Sequence, residues 1–223
     1  ADIQPLFGAM SLDAQRAAIA PGTGKRKLVL ATAIAETSLT IPDIKIVVDG
    51  GRARRARYDP GSGMTRLVTE KVSRAEADQR RGRAGRVAEG VCYRLWTKGE
   101  AGALPQEPLP EIASADLAGL ALELAAWGAA PGDLAFLTPP PEGAFAEARD
   151  LLATLGALED AGRITPHGRA LAQLPLHPRL GHMLLVAGKA AADVAAILSS
   201  APLRVDGVGL GARLSALAAP PPS

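Results

Sequence analysis

Aromatic residues are scarce in this chain: three Phe, two Trp and two Tyr, 3% of 223 residues. Hydrophobic content is still 48%, ordinary for a globular protein, so the core must be built from Leu, Val, Ile and Ala. Cysteine is limited to Cys92. That excludes an internal disulfide and fits a reducing, cytoplasmic compartment. No stretch approaches about 18 apolar residues free of charge, so no membrane span is expected. No basic-then-apolar segment opens the chain, so no signal peptide is expected either. His167, His177 and His182 have no Cys or carboxylate neighbours at ligand spacing. Each reads as a capping or surface residue, and no metal site is expected.

The machinery of an NTPase is also missing. Gly24-Lys25 imitates a phosphate-binding loop, but that loop needs glycine where Ile19 stands and Ser or Thr where Arg26 stands. The pair also precedes a strand pattern instead of opening a helix. No Asp-Glu-Ala-His or Asp-Glu-x-His sequence occurs.

What is present is positive charge in one half. Residues 1–100 hold 18 Lys/Arg against 11 Asp/Glu, a net +7. Residues 101–223 hold 7 against 12, a net −5. A basic half predicts a polyanionic partner such as nucleic acid or nucleotide. The charge peaks between Ser73 and Arg86, where five arginines and Gln79 are spread over a predicted helix and its C-terminal end. Arginine is almost never fully buried unpaired, and its planar fork suits phosphate oxygens. Gly82 and Gly85 leave room for a ligand to approach the backbone. A solvated basic helix end is the competing reading.

Apolar runs at Lys27–Thr32, Ile44–Asp49 and Val91–Trp96 read as strands, the first two as buried parallel strands. Ser11 and Ser73 read as helix caps. Strands alternating with helices predict an α/β layer. Gly51–Val68 reads as a β-hairpin turning at Asp59–Gly63. Alternation sends Arg52, Arg54, Arg55 and Arg57 to both of its faces, so it should project. The proline-rich stretch 104–110 marks a boundary, and helices dominate after it. Leu117, Leu120, Ala121, Leu124 and Ala125 recur at helical spacing up to Gly128. A helix follows Pro139-Pro140-Pro141, Ala157–Thr165 reads as a small β-wing, and further helices follow. The tail 218–223 reads as disordered.

Ala31–Pro42 (ATAIAETSLTIP) and Gln79–Arg86 (QRRGRAGR) resemble motifs V and VI of the DEAH/RHA helicases of superfamily 2. Leu109–Gly128 resembles the segment after the motor core in the bacterial HrpB-type branch, and the likeness extends from the PLFGAM start to about Gly188. The resemblance implies the distal part of a RecA-like (P-loop NTPase-type) lobe with a projecting hairpin over 1–103. A mainly helical winged-helix domain over 104–174 and the first helices of a ratchet-like domain over 175–223 would follow. It implies a fragment of an ATP-dependent helicase, the second motor lobe and adjoining region. The complete protein would couple ATP hydrolysis to 3′→5′ translocation on RNA or single-stranded DNA. Its partner would be a first RecA-like lobe of the same protein, which holds most of the Mg²⁺.

For the site, the resemblance implies Gln79 as positioner of the attacking water and Arg83 and Arg86 as fingers on the γ-phosphate. Thr40, Asp43 and Gly82 would line the nucleotide. Thr32 and Ser38 would touch nucleic-acid backbone, joined by Arg52, Arg54, Arg55 and Arg57 of the hairpin. Arg80 and Arg81 are expected to face solvent or the neighbouring strands. Ala33 and Pro42 depart from the family's usual Asn and acidic residue, with Asp43 one place later. Ile19 stands where relatives place an aromatic ring, which implies weak base stacking. A non-enzymatic winged-helix nucleic-acid binder and a degenerate helicase scaffold are the alternatives.

Overall fold

The computed structural model describes residues 1–22, 24–36, 41–42, 44–86, 88–160, 162–199 and 209–218. The chain folds as two compact units, Ala1–Ser114 and Ala115–Ser223.

The first unit is α/β, as the alternating pattern predicts. It opens with β1 (Asp2–Leu6), α1 (Leu12–Ile19) and β2 (Lys27–Ala31). β1 and β2 pair in parallel, which requires a crossover, and α1 supplies it. Ser11 caps α1 by accepting from the Ala14 N–H. β1 is a strand that no sequence pattern predicts, because Pro5 cannot donate to a ladder; it is tolerated in a two-stranded sheet. β3 (Ile46–Asp49), the hairpin β4 (Arg52–Asp59) and β5 (Met64–Lys71), α2 (Arg74–Arg81), β6 (Val91–Arg94) and the short α3 (Lys98–Gly102) follow. β6 returns to pair in parallel with β3.

The expectation of buried strands is corrected. Ile3 lies opposite Leu28, and Ile46 and Val48 lie opposite Val91 and Tyr93. All of these and Leu30 are 47–62% exposed. Each parallel pair thus carries one apolar face at the surface, whereas parallel sheets are ordinarily covered on both faces. The packed interior around the hairpin base is Ala53, Val72, Ala77 and Leu104, with Trp96 against it. Gly51 makes that packing fit. Its φ is +67°, and a Cβ there would lie 2.8 Å from the Trp96 ring.

The second unit is mainly helical. α4 (Ala118–Trp127) buries Ala118, Ala121, Leu122 and Leu124, and Gly128 ends it in the left-handed conformation. α5 (Glu142–Thr154) starts after Pro141. A single antiparallel bridge, Leu158 to Ile164, forms the small wing. Thr165 then caps α6 (Pro166–Ala172). α7 (Pro178–Ala187), α8 (Ala192–Ser199) and α9 (Leu210–Ala218) complete the described elements. The predicted disordered tail beyond Ala218 lies outside the described residues. Pro178–Ser199 is long and apolar enough for a membrane span by composition. It is nevertheless broken at Gly188 and carries Arg179, Lys189 and Asp193.

Two helix caps in this unit meet in one hydrogen bond. His177 Nδ1 accepts from the Arg179 N–H at the start of α7, so its Nε2–H donates to Asp116 at 2.9 Å. The Asp116 carboxylate also accepts from the Ala118 N–H at the start of α4. Burial pushes the Asp116 carboxyl up, but His177, the Ala118 N–H and Arg179 outweigh it and hold its pKa below the usual range. A lowered carboxylate pKa stabilises the fold above about pH 4, the unfolded value. That contribution is lost as pH falls through the folded pKa. Asp116→Asn is expected to cost about 1.5–3 kcal/mol at neutral pH, the range for a hydrogen bond to a charged group. The gap to wild type should shrink on acidification below about pH 4. Denaturant titrations across pH check this, and a gap independent of pH would refute it.

Candidate nucleotide and nucleic-acid site

The arginine run is organised by α2. Ser73 Oγ accepts from the Glu76 N–H, and the Glu76 carboxylate accepts from the Ser73 N–H at 2.6 Å, a capping box. The Arg74 and Ala75 N–H groups donate to the Pro105 and Gln106 carbonyls, and the Ala77 N–H to Ser73. The first four N–H groups of α2 are therefore all satisfied inside the protein, and this N-terminus is closed to anions. Gln79, Arg83 and Arg86 lie at or beyond the opposite end. There the helix dipole is negative, so any attraction for phosphate must come from the side chains.

The loop after α2 is held tightly. Ala84 is buried, and the Arg83 and Ala84 N–H groups donate back to Arg80 and Arg81. Gly90 presses on this turn: a Cβ there would lie 2.1 Å from the Ala84 carbonyl oxygen and 2.7 Å from that of Lys45. Only glycine lets the chain pass this loop into β6.

The arginines divide into two kinds. Arg80 is the structural one. It donates to Glu36 at 2.9 Å, to Asp49 at 3.0 Å and to the Arg52 carbonyl at 3.1 Å. Burial opposes its charge, but Asp49 and Glu36 outweigh that and raise its pKa. Asp49 in turn accepts from the Gly51 N–H. Arg81 is mostly exposed and lies 3.6 Å from Asp78. Arg83 is half-buried and donates to the Glu36 carbonyl. Its pKa is lowered, first by burial and then by the nearby charge of Arg86, against an opposing pull from Glu36. Gln79, Gly82 and Arg86 are exposed. Arg83 and Arg86 thus stand three residues apart in the same loop, with like charges.

In the upstream motif, Thr32 is exposed and precedes a short 3₁₀ turn, Ala33–Ala35. Ser38, Thr40 and Asp43 lie outside the described residues.

The hairpin is two-faced. One face pairs Arg52 with Lys71 and Arg54 with Thr69, all exposed. The other carries Arg55 and Arg57, which are spent on carboxylates. Arg57 forks onto Glu70 at 2.7 and 2.6 Å. Arg55 reaches Glu70 at 3.3 Å and Glu76 at 2.5 Å. Among the described residues Arg54 has no ion pair, whereas Lys71 pairs with Glu100 at 3.2 Å, so the outward charge rests on Arg52 and Arg54 instead of four equivalent arginines.

Sequence reasoning passed over Glu36, Asp49 and Glu70, and considered Glu76 and Asp78 only as partners for the arginines of the helix run, whereas Glu76 pairs with Arg55 of the hairpin and Asp78 with Arg81 and Arg94. Only Glu76 had a local signal, its place three residues after Ser73. Among the described residues no three His, Cys, Asp or Glu side chains converge as metal ligands; His167 and His182 simply pair with each other at 3.0 Å.

Residues 1–88 match the helicase conserved C-terminal domain, and residues 148–176 match the winged-helix helicase associated domain, HA2. The ATP-dependent RNA helicase HrpB of Escherichia coli (strain K12) is 45% identical over 218 residues, covering 95% of this chain and 27% of the relative. The DExH-box ATP-dependent RNA helicase DExH1 of Arabidopsis thaliana is 45% identical over 188 residues, 82% of this chain and 19% of the relative. A crystal structure of E. coli DExH-box NTPase HrpB superposes with a TM-score of 0.87 at 44% identity, covering 96% of this chain and 27% of that one. The chain therefore consists of a helicase C-terminal lobe followed by a winged-helix region. It belongs to the DEAH/RHA helicases, in the HrpB-like branch. It spans about a quarter of the length of the HrpB relative.

Proposed function

We propose that this chain is the second motor lobe and adjoining C-terminal region of an ATP-dependent RNA helicase. The observation that carries this is the match of residues 1–88 to the helicase conserved C-terminal domain, with Arg83 and Arg86 in the tightly held loop beyond the C-terminal end of α2. Burial first, and then the like charge of Arg86, lower the Arg83 pKa, and an anion bound at these side chains would favour their charged forms. The terminal phosphates of ATP fit that role. Charge developing on a transferring phosphoryl group is stabilised electrostatically by such donors, while Gln79 orients the attacking water. The described residues offer no carboxylate cluster for Mg²⁺, so holding the metal falls to the first RecA-like lobe of the complete protein.

The exposed faces of the two parallel sheets support the same reading, since in the complete protein further chain would cover them. RNA is the favoured substrate class because the relatives are RNA helicases. Contacts through Thr32, Ser38 and the outer hairpin face would grip backbone without reading sequence. Single-stranded DNA is the alternative track. Translocation 3′→5′ and a cytoplasmic location complete the proposal.

The experiment is an ATPase assay on two polypeptides. The purified 223-residue chain should show no turnover above background, because it contains neither a phosphate loop nor a DEAH sequence. The full-length protein should hydrolyse ATP and be stimulated by RNA more than by single-stranded DNA or blunt duplex. Robust turnover by the short chain would overturn the two-lobe reading, and a full-length protein indifferent to nucleic acid would overturn the helicase reading.

A further inference from the structure

We propose that the Arg55–Glu76 ion pair is the joint through which the arginine helix holds and moves the hairpin, with Glu76 a positioning residue for strand separation. The inference rests on the helicase reading above. It begins with the geometry of α2. Glu76 and Arg80 are four residues apart and share one face of the helix. Each reaches β4. Glu76 Oε1 and Oε2 each accept from Arg55 at 2.5 Å, and Arg80 donates to the Arg52 carbonyl. Residues 52 and 55 are about 10 Å apart along a strand. One attachment would leave the hairpin free to pivot. Two make it follow the helix.

The joint is built to be stiff. The Arg55 and Glu76 side chains are only 17% and 13% exposed, so solvent screens them weakly. Glu76 Oε2 also accepts from the Ser73 N–H and hydroxyl, which locks the carboxylate onto the helix N-terminus. On the strand side, Arg55 also donates to Glu70 and to the Lys71 carbonyl, so it spans both hairpin strands. The Val72 N–H closes the base by donating to Gly51. A half-buried ion pair is weak evidence for stability, since apolar packing often does as well. Its directional bonds do suit transmission. At the other end of the same rigid helix, about 12 Å long, sit the residues proposed to face the γ-phosphate. A small rotation of α2 would swing the hairpin tip through a larger arc.

The clean test is Glu76→Gln in the full-length enzyme. Glutamine still accepts from the Ser73 N–H, so the cap survives, while the charge that holds Arg55 is gone. Nucleic-acid-stimulated ATP turnover should stay within about twofold of wild type, and duplex unwinding should fall about fivefold, as for residues along a coupling route. The ATP consumed per base pair separated should rise by the same factor. Arg55→Gln should raise that ratio similarly, and the double variant should add little to either single, because the two act through one contact. Unwinding at the normal ATP cost in both single variants would overturn the joint while leaving the helicase reading intact. So would a parallel fall in ATPase and unwinding, or fully additive losses. A wild-type enzyme without RNA-stimulated ATPase would overturn both.

Discussion

Arg83→Ala and Arg86→Ala in the full-length protein are each expected to lower kcat by about 10³-fold or more, the scale of an arginine finger in phosphoryl transfer. ATP binding should weaken far less, because the fingers act most strongly on charge that develops in the transition state. The expectation follows from how the arginines divide. Arg80 is saturated by Glu36 and Asp49, so it has little capacity left for phosphate. Arg83 and Arg86 follow the negative end of α2, where burial and then the like charge of Arg86 lower the Arg83 pKa. Arg80→Ala is the natural control. It would leave the buried Asp49 carboxylate without its guanidinium, so its damage should appear in folding stability as well as in rate. Steady-state kinetics with thermal melts of all three variants separate these outcomes. Normal kcat in Arg83→Ala and Arg86→Ala would remove both from the active site.

How much of this was legible beforehand depends on the range of the interaction. α2 was readable because its cap is local: Ser73 and Glu76 are three residues apart. The hairpin was readable because Pro60, Gly61 and Gly63 can hardly be anything but a turn. Local pattern alone could not tell Arg80 from Arg83, the same residue type three positions apart; only the family resemblance gave them different roles. Arg80 is buried by partners 44 and 31 residues earlier in the chain, and no local pattern encodes that. The same holds for Arg55 and Arg57. Strand alternation put them on a face of their own, but Glu70 and Glu76, which neutralise that face, come from the second strand and the next helix. Leu28 and Leu30 read as buried because an apolar run cannot say whether anything covers it. The motifs located the candidate site; the division of labour within it came from long-range packing.

The hairpin tip carries the second large expectation. Replacing Asp59–Met64 with Asn-Gly should cut duplex unwinding by on the order of tenfold to a hundredfold while most RNA-stimulated ATPase remains, as expected where a conformational element and not the chemistry is altered. A motor that pulls one strand needs an obstacle to the other, and this tip is stiff enough to be one. The Asp59 carboxylate accepts from the Gly61 N–H, the Ser62 hydroxyl at 2.7 Å and Arg66 at 3.1 Å. The Gly63 N–H donates to the Asp59 carbonyl, with φ +63° at Gly63. Asn-Gly is the two-residue turn that keeps flanking strands in register, so Tyr58 still faces Thr65 and the Arg55 joint is untouched. The arm below the tip has a separate role. Arg54→Ala should make the salt dependence of RNA binding shallower by about one unit of log–log slope. Arg57→Ala should leave the slope unchanged, because Arg57 is already paired with Glu70. An enzyme with the shortened turn that unwinds at the wild-type rate would mean the hairpin only buttresses the lobe.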